Sequence, residues 1–431
     1  MNAVTSPGRS AIGSLSQRAC FILSIALLSN SILRGIRPPG RWAYTELLLN
    51  YDFGFSKRAL QGAVLSLIGM PALYRYSFCF WYNLAILSAN ILLLVALLKK
   101  LCYAESDSSK WVAMVFASSL ALVMLAHTIG YGDQIALLVT LIALRIRKFF
   151  VRSVFVTLLF PVCLLIHETE FVLFFPVIVF RFLFDLSEDK SRAKLLSMSA
   201  VVVSALLTLA CLSCTQLSAA SAAEMYRSIQ SKADYQLRED ELFMITSTFS
   251  DNIRMQLKAW SVSDGIRFFI YSFVVTFPTT LYLLRETLVT LRISRQSGLL
   301  CLAAVAASLA PLSMYAIGVD ANRWTTLATM ASFLVYSAVV PNSIALSTTL
   351  VRSPVLPALL VAMNLTSSIE LFDGYVVRNF PYEEHLDNFS KVIFGSAPFP
   401  PAPEQCVESG CIAIFRFPHP ESAVAEHNST P

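Results

Sequence analysis

The chain has 431 residues, of which 56% are hydrophobic and only 14% charged, and its mean hydropathy is +0.62. Soluble domains carry roughly 25% charged residues, so a soluble fold has too little polar surface to cover this much apolar side chain. The net charge of +5 is modest and most basic residues sit between apolar blocks, a pattern that argues against a nucleic-acid partner.

The apolar blocks fall near 19–33, 78–98, 111–127, 134–144, 151–166, 171–184, 195–214, 268–284, 298–316, 325–340 and 353–364. They are continuous rather than alternating, and hydrocarbon admits only helices and closed barrels, so the reading is an all-α, polytopic membrane helical bundle of about 11 helices. Several blocks are shorter than the roughly 20 residues that span a bilayer, and their neighbours are expected to extend them. The run after Arg18 lacks a small-residue cleavage site and reads as a retained first helix.

Basic residues concentrate in alternate connections: Arg9 and Arg18; Lys99 and Lys100; Arg145, Arg147, Lys148 and Arg152; Lys190, Arg192 and Lys194; Arg285, Arg292 and Arg295; then Arg352. The positive-inside rule makes these cytoplasmic. The expected organisation is a cytoplasmic segment 1–18, a membrane domain 19–364 with outer loops 34–77 and 215–267, and an extracytoplasmic tail 365–431. Loop 34–77 breaks the rule, because Arg34, Arg37, Arg41, Lys57, Arg58 and Arg75 would lie outside. Either the topology differs there or those cations have a task.

Within that loop, Ala59–Met70 is too short to span and reads as a helix lying in the interface. Loop 215–267 is amphipathic in patches, with Arg227, Lys232, Asp234, Arg238, Glu239, Asp240 and Glu241 around Tyr226 and Tyr235; it reads as a helical lid. Cys406 and Cys411 in the proline-rich tail are spaced for a disulfide if that tail is extracytoplasmic. Cys211 and Cys214 form a lone C-x-x-C pair without the second pair or histidine of a zinc site. No metal or cofactor is expected.

Four constellations carry chemically useful groups. In Asn50–Arg58 a single carboxylate, Asp52, precedes the cations Lys57 and Arg58, which suits a base beside groups that neutralise a departing phosphate. His167-Glu168-Thr169-Glu170 sits between two apolar runs, where ionisable groups are costly and functional by default; a zinc-protease H-E-x-x-H is excluded because Phe171 stands where the second histidine belongs. Asp320 and Arg323 are spaced to meet across a helical turn, and Arg323 is suited to a phosphate fork. Thr128-Ile129-Gly130-Tyr131-Gly132-Asp133 is similar to the potassium-channel selectivity filter, but a threonine-rich pore helix before it and a long inner helix after it are missing; the glycines read as a tight outer turn presenting His127 and Asp133.

The string Tyr51-Asp52-Phe53-Gly54-Phe55-Ser56-Lys57-Arg58, followed by Gly62, resembles a pattern of bacterial multi-spanning proteins of polysaccharide biosynthesis: polymerases joining lipid-linked repeat units, and related membrane glycosyltransferases with an acidic first outer loop. The motifs at Asp133, His167-Glu168 and Asp320-Arg323 are similar in placement. The resemblance implies glycosyl transfer outside the bacterial inner membrane, from a polyprenyl-pyrophosphate-linked oligosaccharide to a glycan hydroxyl. It further implies Asp52 as catalytic base, with His167 or Glu168 in its place, and Lys57, Arg58, Asp133, Asp320 and Arg323 as substrate-binding groups. Membrane lipids and other polysaccharide assembly and export proteins are the implied partners. The chain differs from glycosyltransferases of this layout in lacking a sizeable soluble domain after its helices. An ion channel or solute transporter, or a nonenzymatic subunit of a polysaccharide export complex, are the alternative expectations.

Overall fold

The computed structural model describes residues 16–189, 191–260, 263–318, 320–340, 354–367 and 382–393. Among these residues the fold is all-helical. The first helix, α1 (Gln17–Gly35), starts where Ser16 accepts a hydrogen bond from the Ala19 amide (3.2 Å), the usual way of satisfying a free helix N–H. The first connection holds α2 (Arg41–Leu48) and α3 (Leu60–Ile68), and Gly69 ends α3 in the left-handed region at φ 70°. Then follow α4 (Tyr76–Cys102), α5 (Asp107–Ala117), α6 (Leu120–His127), α7 (Asp133–Arg145) and α8 (Phe149–Ile166). The apolar block 111–127 is thus two helices, bent by 41° at Ser118-Ser119.

Next come α9 (Glu170–Leu173) and α10 (Phe175–Glu188). The break between them falls just before Pro176, which has no N–H to continue a helical ladder. The chain continues through α11 (Arg192–Ser213), the lid helices α12 (Ala219–Gln230), α13 (Leu242–Thr246) and α14 (Phe249–Trp260), and then α15 (Ser263–Ile293), α16 (Gly298–Leu309), α17 (Ala321–Val339), α18 (Val355–Thr366) and α19 (Tyr382–Ile393).

Every apolar block read from the sequence is therefore helical, but among the described residues five helices are long and apolar enough to cross a membrane, or six if the bent α5–α6 pair counts as one span. The five are α1, α4, α8, α11 and the run Gly298–Ala316. Their outward positions are apolar as well: Ile22, Leu92, Leu158, Leu196 and Leu299 are each more than 60% exposed.

Among the described residues four apolar clusters hold the bundle together, the smallest being Leu120, Val123 and Met124 of α6. The largest joins α1, α4, α5, α6, α7, α10, α16, α17 and α18, with Phe116 stacked on Phe333 at its centre. A second packs α8, α10 and α11 through Phe149, Phe160, Phe175 and Phe182. The third seals the lid to the first connection, setting Tyr44, Leu48, Tyr76 and Phe80 against Leu217, Met225, Ile229 and Ile245. The lid is thus a packed element with an apolar underside.

Three of the six cations of the first connection are spent on backbone carbonyls. Arg34 donates to Asn364 O (2.9 Å) and Arg37 to His127 O (3.2 Å), at the ends of α18 and α6, while Lys57 Nζ donates to Ser247 O (3.1 Å) in the lid. Cations near helix C-termini offset the partial negative charge there. At the other end of the bundle Arg152 does the same for α7, donating to Ala143 O (3.0 Å) and Ile146 O (2.6 Å) while pairing with Asp185. Cys406 and Cys411 lie outside the described residues.

Candidate functional site

Five stretches far apart in sequence close on one buried cluster of charge. Two glycine turns set it up. Gly130 takes φ 94° with its α-carbon against Ala43, and a Cβ on Gly132 would lie 2.6 Å from the Cβ of His167. Only the missing side chains let the 128–132 turn settle between α2 and residues 166–167. α7 then opens on Asp133, a favourable place for a carboxylate because the first-turn amides carry partial positive charge.

Arg323, in the first turn of α17, grips Asp133 in a two-pronged pair: Nε to Oδ2 at 2.8 Å and Nη2 to Oδ1 at 2.5 Å. Its third nitrogen reaches Asp320 Oδ2 at 3.4 Å, and its plane lies 5.0 Å from the rings of Tyr131 and Trp324. Arg58 repeats the arrangement with Glu168, through Nε–Oε2 at 3.0 Å and Nη2–Oε1 at 2.9 Å, and its remaining arm stands 3.8 Å from Glu241 of the lid. Arg58 holds a left-handed backbone at φ 64°. That conformation is uncommon for a residue with a side chain and collects at functional sites.

Between the two forks lies His167, 2% exposed, with Nε2 3.9 Å from Glu46 Oε1 and Nδ1 4.0 Å from Glu170 Oε1. Thr169 Oγ1 hydrogen-bonds the same Nδ1. Glu46, Glu170 and Glu241 are each at most 1% exposed; no donor reaches the carboxyl oxygens of Glu46 or Glu241, while Glu170 is hydrogen-bonded to Asp133.

Burial dominates the protonation of these groups. It pushes Glu46 up to about 7 against the pull of Arg58 and Arg323, and lifts Glu241 well above the usual carboxylate range, with Glu46 adding to the effect. It carries Asp320 to about 6 despite Arg323. It also drives His167 down to about 3, with Arg58 reinforcing the shift, so the imidazole is neutral. For Glu168 burial again acts upward, but Arg58, by its charge and its hydrogen bonds, outweighs it together with Lys57 and holds the carboxylate ionised. Lys57 is lowered by its own burial.

Of the groups named from the sequence, Arg58, Asp133, His167, Glu168, Asp320 and Arg323 therefore meet in this cluster, with Lys57 at its edge. Asp52 stands apart: its carboxylate is exposed and accepts from Ser66 Oγ (3.1 Å), and its amide donates to Asn50 Oδ1 (3.0 Å) in a local turn. Gly62 of the same motif has a packing role, since a Cβ there would sit 2.1 Å from Leu49 O. Three acids were not selected from the sequence. Glu46 was findable as the lone acid of the apolar stretch Ala43–Leu49, and Glu170 lies in a motif already noted, whereas Glu241 is one of three consecutive acids with nothing to distinguish it.

In the filter-like string, the carbonyls of Thr128, Tyr131 and Gly132 accept from the amides of Tyr131, Gln134 and Ile135. A filter needs such oxygens free to replace water around an ion. A small void lined by Met124, Leu125, Phe174, Leu327 and Met330 borders Asp133 and Arg323. No protein family, curated protein or solved structure matches the chain.

Proposed function

We propose that the chain is a multi-pass membrane enzyme whose reaction centre is the buried cluster at one end of its helical bundle. Its class is group transfer between a lipid-linked donor and a hydroxyl acceptor. More particularly, the reading is glycosyl transfer or polymerisation of polyprenyl-pyrophosphate-linked glycan units at the outer face of a bacterial inner membrane, with the amino terminus inside. The observation that carries it is the convergence of Arg58, Asp133, His167, Glu168 and Arg323, from four separate connections, beside an unpartnered buried acid. Support for the membrane setting comes from the long apolar helices and their exposed leucines and isoleucines, which in water would form apolar patches far beyond those of a soluble monomer.

The roles follow from protonation. Glu168 is held ionised by Arg58 and serves as the fork's anchor rather than as a base. Glu46, poised near neutrality with both oxygens free, takes the proton from the acceptor hydroxyl, and neutral His167 at 3.9 Å orients it. A base matched to working pH is the most effective one. The guanidinium groups of Arg58 and Arg323 offset the negative charge that develops on the departing pyrophosphate. Membrane lipids and the glycan assembly and export machinery are the corresponding partners.

The test is transfer by the purified chain in liposomes carrying a labelled polyprenyl-pyrophosphate oligosaccharide, read as a ladder of lengthened products. Wild type is expected to build the ladder and Glu46→Gln to slow it about 10²–10⁴-fold, the usual worth of a positioned base. A wild-type chain that lengthens no such donor, or a Glu46→Gln variant at full rate, overturns the reading.

A further inference from the structure

The cluster holds more buried acid than its cations can balance. Glu46, Asp133, Glu168, Glu170, Glu241 and Asp320 face Arg58, Arg323 and Lys57; Glu46 and Glu241 have no hydrogen-bond donor on their oxygens, and Glu170 meets only the carboxyl of Asp133. Buried carboxyls in that condition must be protonated or must face a positive charge. Three donors are set for the second outcome, because single ligand atoms of Asp133, His167 and Glu170 all lie within 4.8 Å of one another.

The second ring nitrogen gives an independent sign. Nδ1 of His167, which Thr169 Oγ1 hydrogen-bonds, stands 4.0 Å from Glu170, and Nε2 stands 3.9 Å from Glu46; an ion at Nδ1 would take the place of the Thr169 bond. A carboxylate behind a histidine, on the nitrogen away from the ligand, is the arrangement that orients metal-binding histidines. Glu170 is fully buried with its carboxyl hydrogen-bonded to that of Asp133, and an ion between the two would replace the proton they share. Asp133 keeps lone pairs available beyond those taken by Arg323, since each carboxylate oxygen has two.

We propose that Asp133, His167 and Glu170 form a binding site for one divalent transition-metal ion, Mn²⁺ or Zn²⁺, with Glu46 as the outer carboxylate that positions His167. Two carboxylates and one imidazole suit these ions, and imidazole disfavours Mg²⁺ and Ca²⁺. Three protein ligands leave coordination positions open, which distinguishes a working site from a closed structural one. A charge of +2 also removes most of the acid excess. The site stands on these side chains alone and holds whether or not the chain transfers sugars.

The test uses the full chain in detergent micelles, stripped with chelator and titrated with Mn²⁺ alone at pH 7.5, with free Mn²⁺ read by electron paramagnetic resonance. One saturable site per chain is expected, displaced by Zn²⁺. Glu170→Gln should weaken it at least tenfold and Glu46→Gln about 10–100-fold, whereas Asp52→Asn, outside the cluster, should leave it unchanged. In wild type the bound ion should show coupling to a histidine nitrogen, a readout that does not depend on any variant folding. Absence of saturable binding, absence of nitrogen coupling, or unaltered affinity in a folded Glu170→Gln variant overturns the proposal. Metal binding without transfer would overturn only the enzymatic reading, and transfer by the stripped protein without metal binding would overturn only this one.

Discussion

The Asp133–Arg323 fork gives the sharpest energetic expectation. Arg323→Met removes two charge-assisted hydrogen bonds to Asp133, at 2.8 and 2.5 Å, and the 3.4 Å contact with Asp320, while leaving both acids buried. Stripping one partner from a buried pair costs about 3–5 kcal/mol, and the lost contacts with the Tyr131 and Trp324 rings add about 0.5–1 kcal/mol each. Asp133→Asn alone should also cost about 3–5 kcal/mol, because Arg323 is then the buried charge without its main partner. In the double variant the mutual penalty disappears, so its cost should fall short of the sum by about 2–3 kcal/mol. The assay is denaturant unfolding in mixed micelles followed by tryptophan fluorescence, Trp324 being beside the fork. Additivity within about 0.5 kcal/mol would show that the two side chains are not coupled and would refute the fork.

Other expectations follow from single atoms. Gly132→Ala brings a Cβ to 2.6 Å from that of His167; the histidine must shift, and transfer should fall about 10²-fold with little change in expression, since misplacement by an ångström has that effect. Gly62→Ala meets Leu49 O at 2.1 Å and should destabilise by about 1–3 kcal/mol, seen as a lower unfolding midpoint. Asp320 has a folded pKa of about 6 against an ordinary 3.8. A carboxyl raised in this way favours the fold while protonated, and that contribution is lost as pH climbs between those two values, by about 3 kcal/mol in all. Asp320→Asn should therefore remove that slope and be the more stable protein at pH 7.5; parallel wild-type and variant profiles would contradict this. Asp52→Asn should retain transfer where Glu46→Gln loses it, in the same liposome assay.

The helices were legible because hydropathy reports directly on where a chain can shed water, and every apolar block became helical, those at 111–127 and 171–184 as broken pairs. Their interruptions were less so: the Ser118-Ser119 bend is a matter of packing, while the break at Phe174 goes with Pro176, whose missing N–H is visible in the sequence. The chemistry was legible wherever an ionisable group interrupted an apolar run, as at His167-Glu168 and Asp320-Arg323. Which acid faces which cation was not, because the partners are joined by folding over long separations: Arg58 and Glu168 are 110 residues apart. Local pattern favoured Asp52, adjacent in sequence to Lys57 and Arg58, but the turn at Asn50 and Gly54 directs its carboxylate outward to Ser66. Glu46, on the preceding helix, fills the interior position instead.

The convergence of separate connections on one cluster is most directly measured by cross-linking Arg58→Cys to Glu168→Cys in a chain freed of its native cysteines. A short bifunctional thiol reagent is applied in native membranes and the chain is then cleaved between the two positions. The fragments are expected to remain joined until the link is broken, and efficient joining should be lost when Asp107→Cys, at the start of α5, replaces the Glu168→Cys partner. Fragments that separate freely in the Arg58–Glu168 pair would mean that the first connection and the His167 segment do not meet, and no common site would exist.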